Sequence, residues 1–117
     1  DDRYFFFFEE TDMAYAMKCA GWRIYQIPDA LIYHLQGQSI GHNARSRIEF
    51  YRSRYQFLRK WNGGTYYRTA SLIIFLRLIV DTLLNAVGVV LTLGLAKGLR
   101  QKMTVYIQII KWHFCDR

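Results

Sequence analysis

Residues 70–95 form a long apolar stretch that limits what the chain can fold into. The stretch is rich in Leu, Ile and Val, and as a helix rising ~1.5 Å per residue it is long enough to cross a ~30 Å hydrocarbon layer. Arg77, Asp81 and Asn85 are spaced four apart and line one face of that helix. A charge at mid-bilayer costs about 2.5 to 3.5 kcal/mol on insertion scales. We therefore favour a helix lying on the membrane over one that spans it, with a buried core helix as the remaining alternative.

The turn signal at residues 62–65, Asn-Gly-Gly-Thr, separates this helix from the first half of the chain. We predict two regions, 1–61 and 62–117, of which the second is mostly α-helical and membrane-associating. Aromatic and basic residues typical of a membrane surface flank the apolar stretch: Tyr66, Tyr67 and Arg68 before it, and Lys97, Arg100 and Lys102 after it. In the tail we predict a helix over residues 103–115, with His113 on its surface.

Three carboxylates, those of Glu9, Glu10 and Asp12, follow directly after the apolar run at residues 4–8. Five consecutive aromatic residues are typical of a buried strand, which places the acids at a strand end before a helix over residues 13–20. The alternative is that they are first-turn acids favoured by the helix dipole. Two more strands are predicted, at residues 22–27 and 31–33, so the first region is expected to be α/β.

The acids and the segments around them resemble the C-terminal half of the catalytic domain in family 2 glycosyltransferases, including rhamnosyltransferase-like members. The resemblance covers about residues 1–60. It rests on the order of the acid cluster, of AGWRIYQIPDALIYH at residues 20–34 and of RSRYQFLRKW at residues 52–61. It implies an α/β fragment of a nucleotide-sugar transferase fold, followed by the mostly helical region.

The resemblance assigns roles to individual residues. Glu10 falls at the position of the catalytic base, which takes the proton from the acceptor hydroxyl as that hydroxyl attacks the sugar carbon. Glu9 and Asp12 complete the acidic motif. His34 lies at a position that, in some members of the family, helps to bind the divalent metal, Mg or Mn, that holds the nucleotide diphosphate. Departures from the pattern are Glu10, where Asp is commoner, and Ala16, where many relatives have Arg.

The family binds its nucleotide with an N-terminal half that carries an Asp-rich, metal-binding motif. This sequence has no counterpart of that half, so we expect residues 1–117 to be a fragment that is inactive in isolation. The resemblance implies an inverting enzyme that moves a sugar from a nucleotide-diphosphate sugar to a glycan or lipid-linked acceptor. It implies cell-surface polysaccharide or lipid-linked glycan synthesis at the cytoplasmic face of the membrane.

A basic amphipathic helix is predicted at residues 39–61. By resemblance, Arg52 and Arg54 lie near the diphosphate side of the site or at its membrane-facing edge; the alternative is a solvated basic face. Residues 1–40 hold six acids and three bases, and residues 41–117 hold three acids and thirteen bases. The basic half suits phosphates or a membrane surface, while the acidic half argues against nucleic acid. Exposed edges also predict self-association. The alternative function is a non-catalytic module that binds a membrane or a partner.

Overall fold

The computed structural model describes residues 1–33 and 43–115, and within these ranges the chain is all-α. Four helices make up 72% of the described residues. Helix α1 spans Glu9–Cys19, α2 spans Ala44–Trp61, α3 spans Gly64–Leu91 and α4 spans Lys97–Cys115. The described ranges contain no β-strand. The expected α/β fold is therefore wrong.

The aromatic run at residues 4–8 is an irregular segment packed on α2. Phe7 and Phe8 have φ angles of 68° and 67°, which lie in the left-handed region and are incompatible with a strand. The ring centroid of Phe8 lies 5.6 Å from those of Phe50 and Phe57 on α2. The run is apolar because it packs on a helix. An apolar, aromatic run of this kind is also typical of a buried strand, so its composition does not distinguish the two.

Helix α1 begins at Glu9, four residues before the predicted start. The N-cap residue, Phe8, has no side chain that can cap the helix, and its carbonyl accepts the Asp12 N–H at 2.8 Å. The three acids therefore occupy the first turn, where the helix dipole favours negative charge. This arrangement agrees with the alternative reading of the acids and corrects their placement at a strand end.

The strands predicted at residues 22–27 and 31–33 are also absent. Trp22, Tyr25 and Ile32 are 68%, 73% and 83% exposed, and neither segment pairs with a neighbouring strand in the described ranges. Alternating apolar residues form a stable strand only when a sheet accepts their backbone hydrogen bonds.

The three C-terminal helices pack around a small core. The side chain of Asn43 caps α2 by accepting the Ser46 N–H at 3.0 Å. Tyr55 of α2, Ile74 of α3 and Trp112 of α4 form the centre of the core and are at most 8% exposed. Helix α2 precedes residue 62 and packs on α3 and α4, which follow it. The division of the chain into regions 1–61 and 62–117 stays a prediction.

Helices α3 and α4 form an antiparallel hairpin. The Asn85 side-chain amide donates to the Leu99 carbonyl at 3.0 Å. At Gly88 a Cβ atom would lie 3.2 Å from Leu99 Cδ1, so the absence of a side chain permits the close approach of the two helices. The turn uses Gly94, whose φ of 72° suits glycine and whose N–H donates to the Val89 carbonyl at 2.8 Å.

The outer face of α3 is apolar and exposed. Nine aliphatic side chains on this helix are more than half exposed: Leu72, Ile73, Leu76, Val80, Leu83, Leu84, Val87, Val90 and Leu91. The helix has 28 residues and is long and apolar enough to cross a membrane, and only 17% of its most apolar segment is buried. Arg77 and Asp81 form an exposed pair at 3.7 Å, whereas Asn85 is buried. The predicted polar stripe is therefore interrupted, because Asn85 faces α4.

Candidate functional site

The three predicted acids separate into two environments. Glu9 and Glu10 are exposed in the first turn of α1, whereas Asp12 is only 4% exposed. Each residue is rotated by about 100° around a helix, so Glu10 points to the side opposite Asp12, whereas Glu9, three positions before Asp12, is exposed at the first position of the helix. Asp12 is directed toward α2, while Glu9 and Glu10 are accessible to a ligand.

Asp12 is held by three donors from other parts of the chain. Its carboxylate accepts hydrogen bonds from Lys60 Nζ at 2.6 Å, from Trp61 Nε1 at 2.6 Å and from the Tyr4 hydroxyl at 3.0 Å. Lys60 also contacts the Asp1 carboxylate at 2.8 Å. We call Asp12, Lys60, Trp61 and Tyr4 the Asp12 cluster. It connects α1 to the C-terminal end of α2.

The Asp12 cluster changes the acidity of two of its members. Burial by itself would raise the pKa of Asp12, but the hydrogen bonds from Lys60, Trp61 and Tyr4 favour the charged form and hold that pKa below its ordinary value. Burial, together with the hydrogen bond to Asp12, raises the pKa of Tyr4 to about 12. Near neutral pH, the fold therefore favours the ion pair between Asp12 and Lys60 and the protonated hydroxyl of Tyr4.

The two predicted phosphate-binding arginines have different surroundings. Arg52 NH1 donates to Glu49 Oε1 at 2.6 Å, and the guanidinium lies 5.8 Å from the centre of the Trp112 ring. It lines a cleft between α2, α3, α4 and the N-terminal segment. Arg54 is half-buried on the same helix and does not line that cleft. The structure therefore brings Arg52, but not Arg54, to a concave surface.

The cleft lined by Arg52 has a volume of about 410 Å³. Its cations are Arg3, Arg52, Arg59 and Lys60, and none of the residues lining it is acidic. Tyr55, Tyr67 and Trp112 provide aromatic walls. We call this the basic cleft. Sequence reasoning missed it because its residues come from four separate segments, although the spacing of Arg52, Arg59 and Lys60 places them near one face of α2.

The predicted metal contact, His34, lies outside the described residues. Within the described ranges, no group of three or more His, Cys, Asp or Glu side chains is arranged to hold a metal ion. The exposed Glu9 and Glu10 carboxylates are oxygen ligands of the type that Mg²⁺ accepts. Two neighbouring surface carboxylates do not make a built site, so the described donor set does not fit a resident metal by itself.

His113 was predicted on the surface and is instead buried, with 9% of its area exposed. Its Nδ1 lies 2.9 Å from the Ile109 carbonyl and its Nε2 lies 2.9 Å from the Tyr55 hydroxyl. Because a carbonyl can only accept, Nδ1 carries a proton and donates to the Ile109 carbonyl, and Nε2 is hydrogen-bonded to the Tyr55 hydroxyl. His113 therefore joins α4 to α2. The neighbouring Trp112 is also buried, whereas Phe114 is 74% exposed.

The chain matches no protein-family model, and no curated protein or solved structure matches it.

Proposed function

We propose that this chain carries the catalytic base of an inverting glycosyltransferase similar to those of family 2. The enzyme moves a sugar from a nucleotide-diphosphate donor to a hydroxyl of a glycan or lipid-linked acceptor. The proposed setting is cell-surface polysaccharide or lipid-linked glycan synthesis at the cytoplasmic face of the membrane. The α/β fold is not part of the proposal, because the described residues are all-α.

The observation that carries the proposal is the contrast between Glu10 and Asp12. Asp12 is anchored by three hydrogen bonds, while Glu10, two residues earlier on the same helical turn, is exposed. A general base needs a carboxylate that can reach the substrate from a rigid support. The Asp12 cluster supplies the support, and the acid motif supplies the base in the order that the resemblance implies.

In the proposed reaction, the Glu10 carboxylate accepts the proton of the acceptor hydroxyl. The hydroxyl oxygen attacks the anomeric carbon and forms the new glycosidic bond as the bond from that carbon to the diphosphate oxygen breaks. The electron pair leaves with the nucleoside diphosphate. A single displacement inverts the anomeric configuration. Glu9 adds a second negative charge beside Glu10. Asp12 is a positioning residue, because it anchors the helix that carries Glu10.

The diphosphate leaving group gains negative charge, which must be neutralised. Of the two predicted arginines, Arg52 is the better placed for phosphate contact, because it lines the basic cleft. Arg54 does not line that cleft. The phosphate contact that the resemblance gives to Arg54 would therefore form outside it. A divalent metal, Mg or Mn, with His34 among its contacts, stays a prediction from the resemblance. No step is assigned to it here because the described residues do not form its site.

The proposal is tested by sugar transfer in the protein that carries this chain, with a panel of nucleotide-diphosphate sugars. Glu10→Gln and Glu9→Gln are a matched pair, because both change one exposed carboxylate of α1 to a neutral side chain of nearly the same shape. Loss of a general base lowers the rate by about 10²- to 10⁴-fold. We expect that loss for Glu10→Gln and less than about tenfold for Glu9→Gln. Equal rates for both variants and the parent would reject Glu10 as the base.

The second candidate is a non-catalytic module that binds a membrane. It is favoured by the exposed apolar face of α3, which a bilayer interface would cover. Val80→Lys with Leu84→Lys places two charges on that face and is expected to abolish flotation with phospholipid vesicles. Gln101→Lys with Gln108→Lys, on exposed positions of α4, adds the same charge and should retain it. Membrane binding without sugar transfer from any donor would select the module.

A further inference from the structure

The basic cleft gathers four cations beside a wall of aromatic rings. Arg3, Arg52, Arg59 and Lys60 approach it from the N-terminal segment and from α2. Clustered cations repel one another, so their convergence beside aromatic walls needs an explanation. The cleft is large enough for a small anionic group and is open to solvent on one side.

Two of the arginines are oriented by aromatic rings. The guanidinium of Arg59 lies 5.2 Å from the centre of the Tyr67 ring, and that of Arg52 lies 5.8 Å from the centre of the Trp112 ring. A guanidinium stacked on a ring is pre-organised and still presents its N–H groups at the edge of its plane. This presentation suits two phosphate oxygens at once.

The existing ion pairs leave the cleft able to accept an anion. Arg52 gives one N–H to Glu49, whose side chain is only 11% exposed, while the Arg52 side chain is 51% exposed, and a guanidinium has five N–H donors in all. Lys60 is less exposed, at 23%, and is fixed by Asp12 and Asp1. Arg59 contacts a neutral group, Tyr67. Arg3 is also fixed, because its guanidinium donates to both oxygens of the Asp1 carboxylate. An entering anion therefore meets two fixed cations, Arg3 and Lys60, together with the remaining N–H groups of Arg52 and Arg59.

The cleft also lies at one end of the apolar helix. Tyr67 belongs to the first turn of α3, whose outer face is exposed and apolar. When that face is in contact with a bilayer, an aromatic and basic site at the end of the helix lies at the depth of the phosphate groups.

We propose that the basic cleft is a binding site for a phosphate or diphosphate group, with Arg52 and Arg59 as its main contacts. The group can belong to a membrane lipid or to a soluble phosphorylated ligand. The inference rests on the proposed function only in giving Arg52 a phosphate role, and it concerns binding rather than catalysis.

The test compares two variants of the full chain that lose the same charge. Arg52→Gln with Arg59→Gln removes the two stacked guanidiniums, and Lys18→Gln with Arg23→Gln removes two exposed cations at and after the end of α1. Binding of inorganic pyrophosphate is measured by calorimetry at constant salt. We expect the cleft pair to weaken binding about tenfold or more and the control pair to change it less than about twofold. Circular dichroism checks folding, and Arg59→Gln alone replaces the double variant if the latter unfolds.

Vesicle flotation distinguishes the two sources of the phosphate. Vesicles of phosphatidylcholine with and without phosphatidic acid are mixed with both variants. A loss of phosphatidic acid-dependent binding confined to the cleft pair assigns the site to lipid phosphates. A loss confined to pyrophosphate binding assigns it to soluble ligands. Equal weakening by both pairs, or no measurable binding of either probe, would overturn the inference. Neither the pyrophosphate nor the vesicle readout depends on sugar transfer, so failure of the catalytic proposal is distinguishable from failure of this inference.

Discussion

Replacing Asp12 with Asn tests whether the Asp12 cluster holds α1 to α2. The change keeps the size of the side chain and one oxygen, which can still accept from Trp61 and Tyr4. It removes the negative charge that faces Lys60 at 2.6 Å, and an amide N–H can then oppose the ammonium. Breaking a buried pair from one side costs about 3 to 5 kcal/mol.

The expected loss lies at or below the lower end of that range. Lys60 is 23% exposed and keeps its second partner, Asp1, at 2.8 Å, so it is not left without compensation. We therefore expect Asp12→Asn to lower the free energy of unfolding by about 2 to 3 kcal/mol. That is a large part of the ~5 to 15 kcal/mol that stabilises a typical domain. Urea unfolding in mild detergent, followed by circular dichroism and tryptophan fluorescence, measures it.

The pH dependence provides a second readout of the same perturbation. The pKa of Asp12 is lower in the fold than in the unfolded chain. Its contribution is therefore present above the ordinary pKa of an aspartate, ~3.9, and is lost as the pH falls through the depressed value. Asp12→Asn should flatten the stability profile in this acid range. Glu9→Gln, at an exposed position, should change stability by less than about 1 kcal/mol. An Asp12→Asn variant as stable as the parent, with the same acid profile, would refute the reasoning.

Three further predictions concern other parts of the fold. The contribution of Tyr4 to the free energy of unfolding should be present below pH ~10 and lost as the pH rises through about 12. Tyr4→Phe should remove this alkaline dependence, which is measured by alkaline titration of the helical circular dichroism signal. Ser71 is 5% exposed and its hydroxyl has no hydrogen-bond partner in the described ranges, so Ser71→Ala should leave the unfolding free energy unchanged or raise it by up to ~1 kcal/mol; a loss above that size in urea unfolding would contradict it. Gly94→Ala should cost about 1 kcal/mol because its φ is 72°, whereas Gly98→Ala, with open space at its Cβ position in α4, should gain about 0.5 kcal/mol; thermal unfolding of the pair should give opposite signs.

The helical half of the fold could be predicted because its signals are local. The Asn-Gly-Gly-Thr turn falls at the α2–α3 junction, and the predicted tail helix ends at Cys115, as α4 does. Helix α3 ends at Leu91, before the predicted end, because the chain turns with positive φ angles at Leu93 and Gly94.

The first half could not be predicted because its strand signals depend on partners. An aromatic run is apolar whether it enters a sheet or covers a helix, and only the contacts of Phe8 with Phe50 and Phe57 distinguish the two. The same limit applies to the site. Asp12 meets Lys60 across 48 positions, and no local pattern reports that contact.

The burial of His113 had a weak local signal. Ile109, Trp112 and His113 are the buried residues of α4, and their spacing of three and four is that of one helical face. The polar character of histidine favoured the surface in sequence reasoning. Hydrogen bonds to Tyr55 and to the Ile109 carbonyl satisfy both ring nitrogens and permit the burial.

The most direct test of the central claim is the transfer rate of the Glu10→Gln variant, measured together with its donor affinity in the protein that carries this chain. We predict a rate reduced by about 10²-fold or more, with donor affinity and unfolding free energy close to those of the parent. A near-normal rate would contradict the account, and it would leave Glu10 as an exposed helix-start acid with no catalytic role.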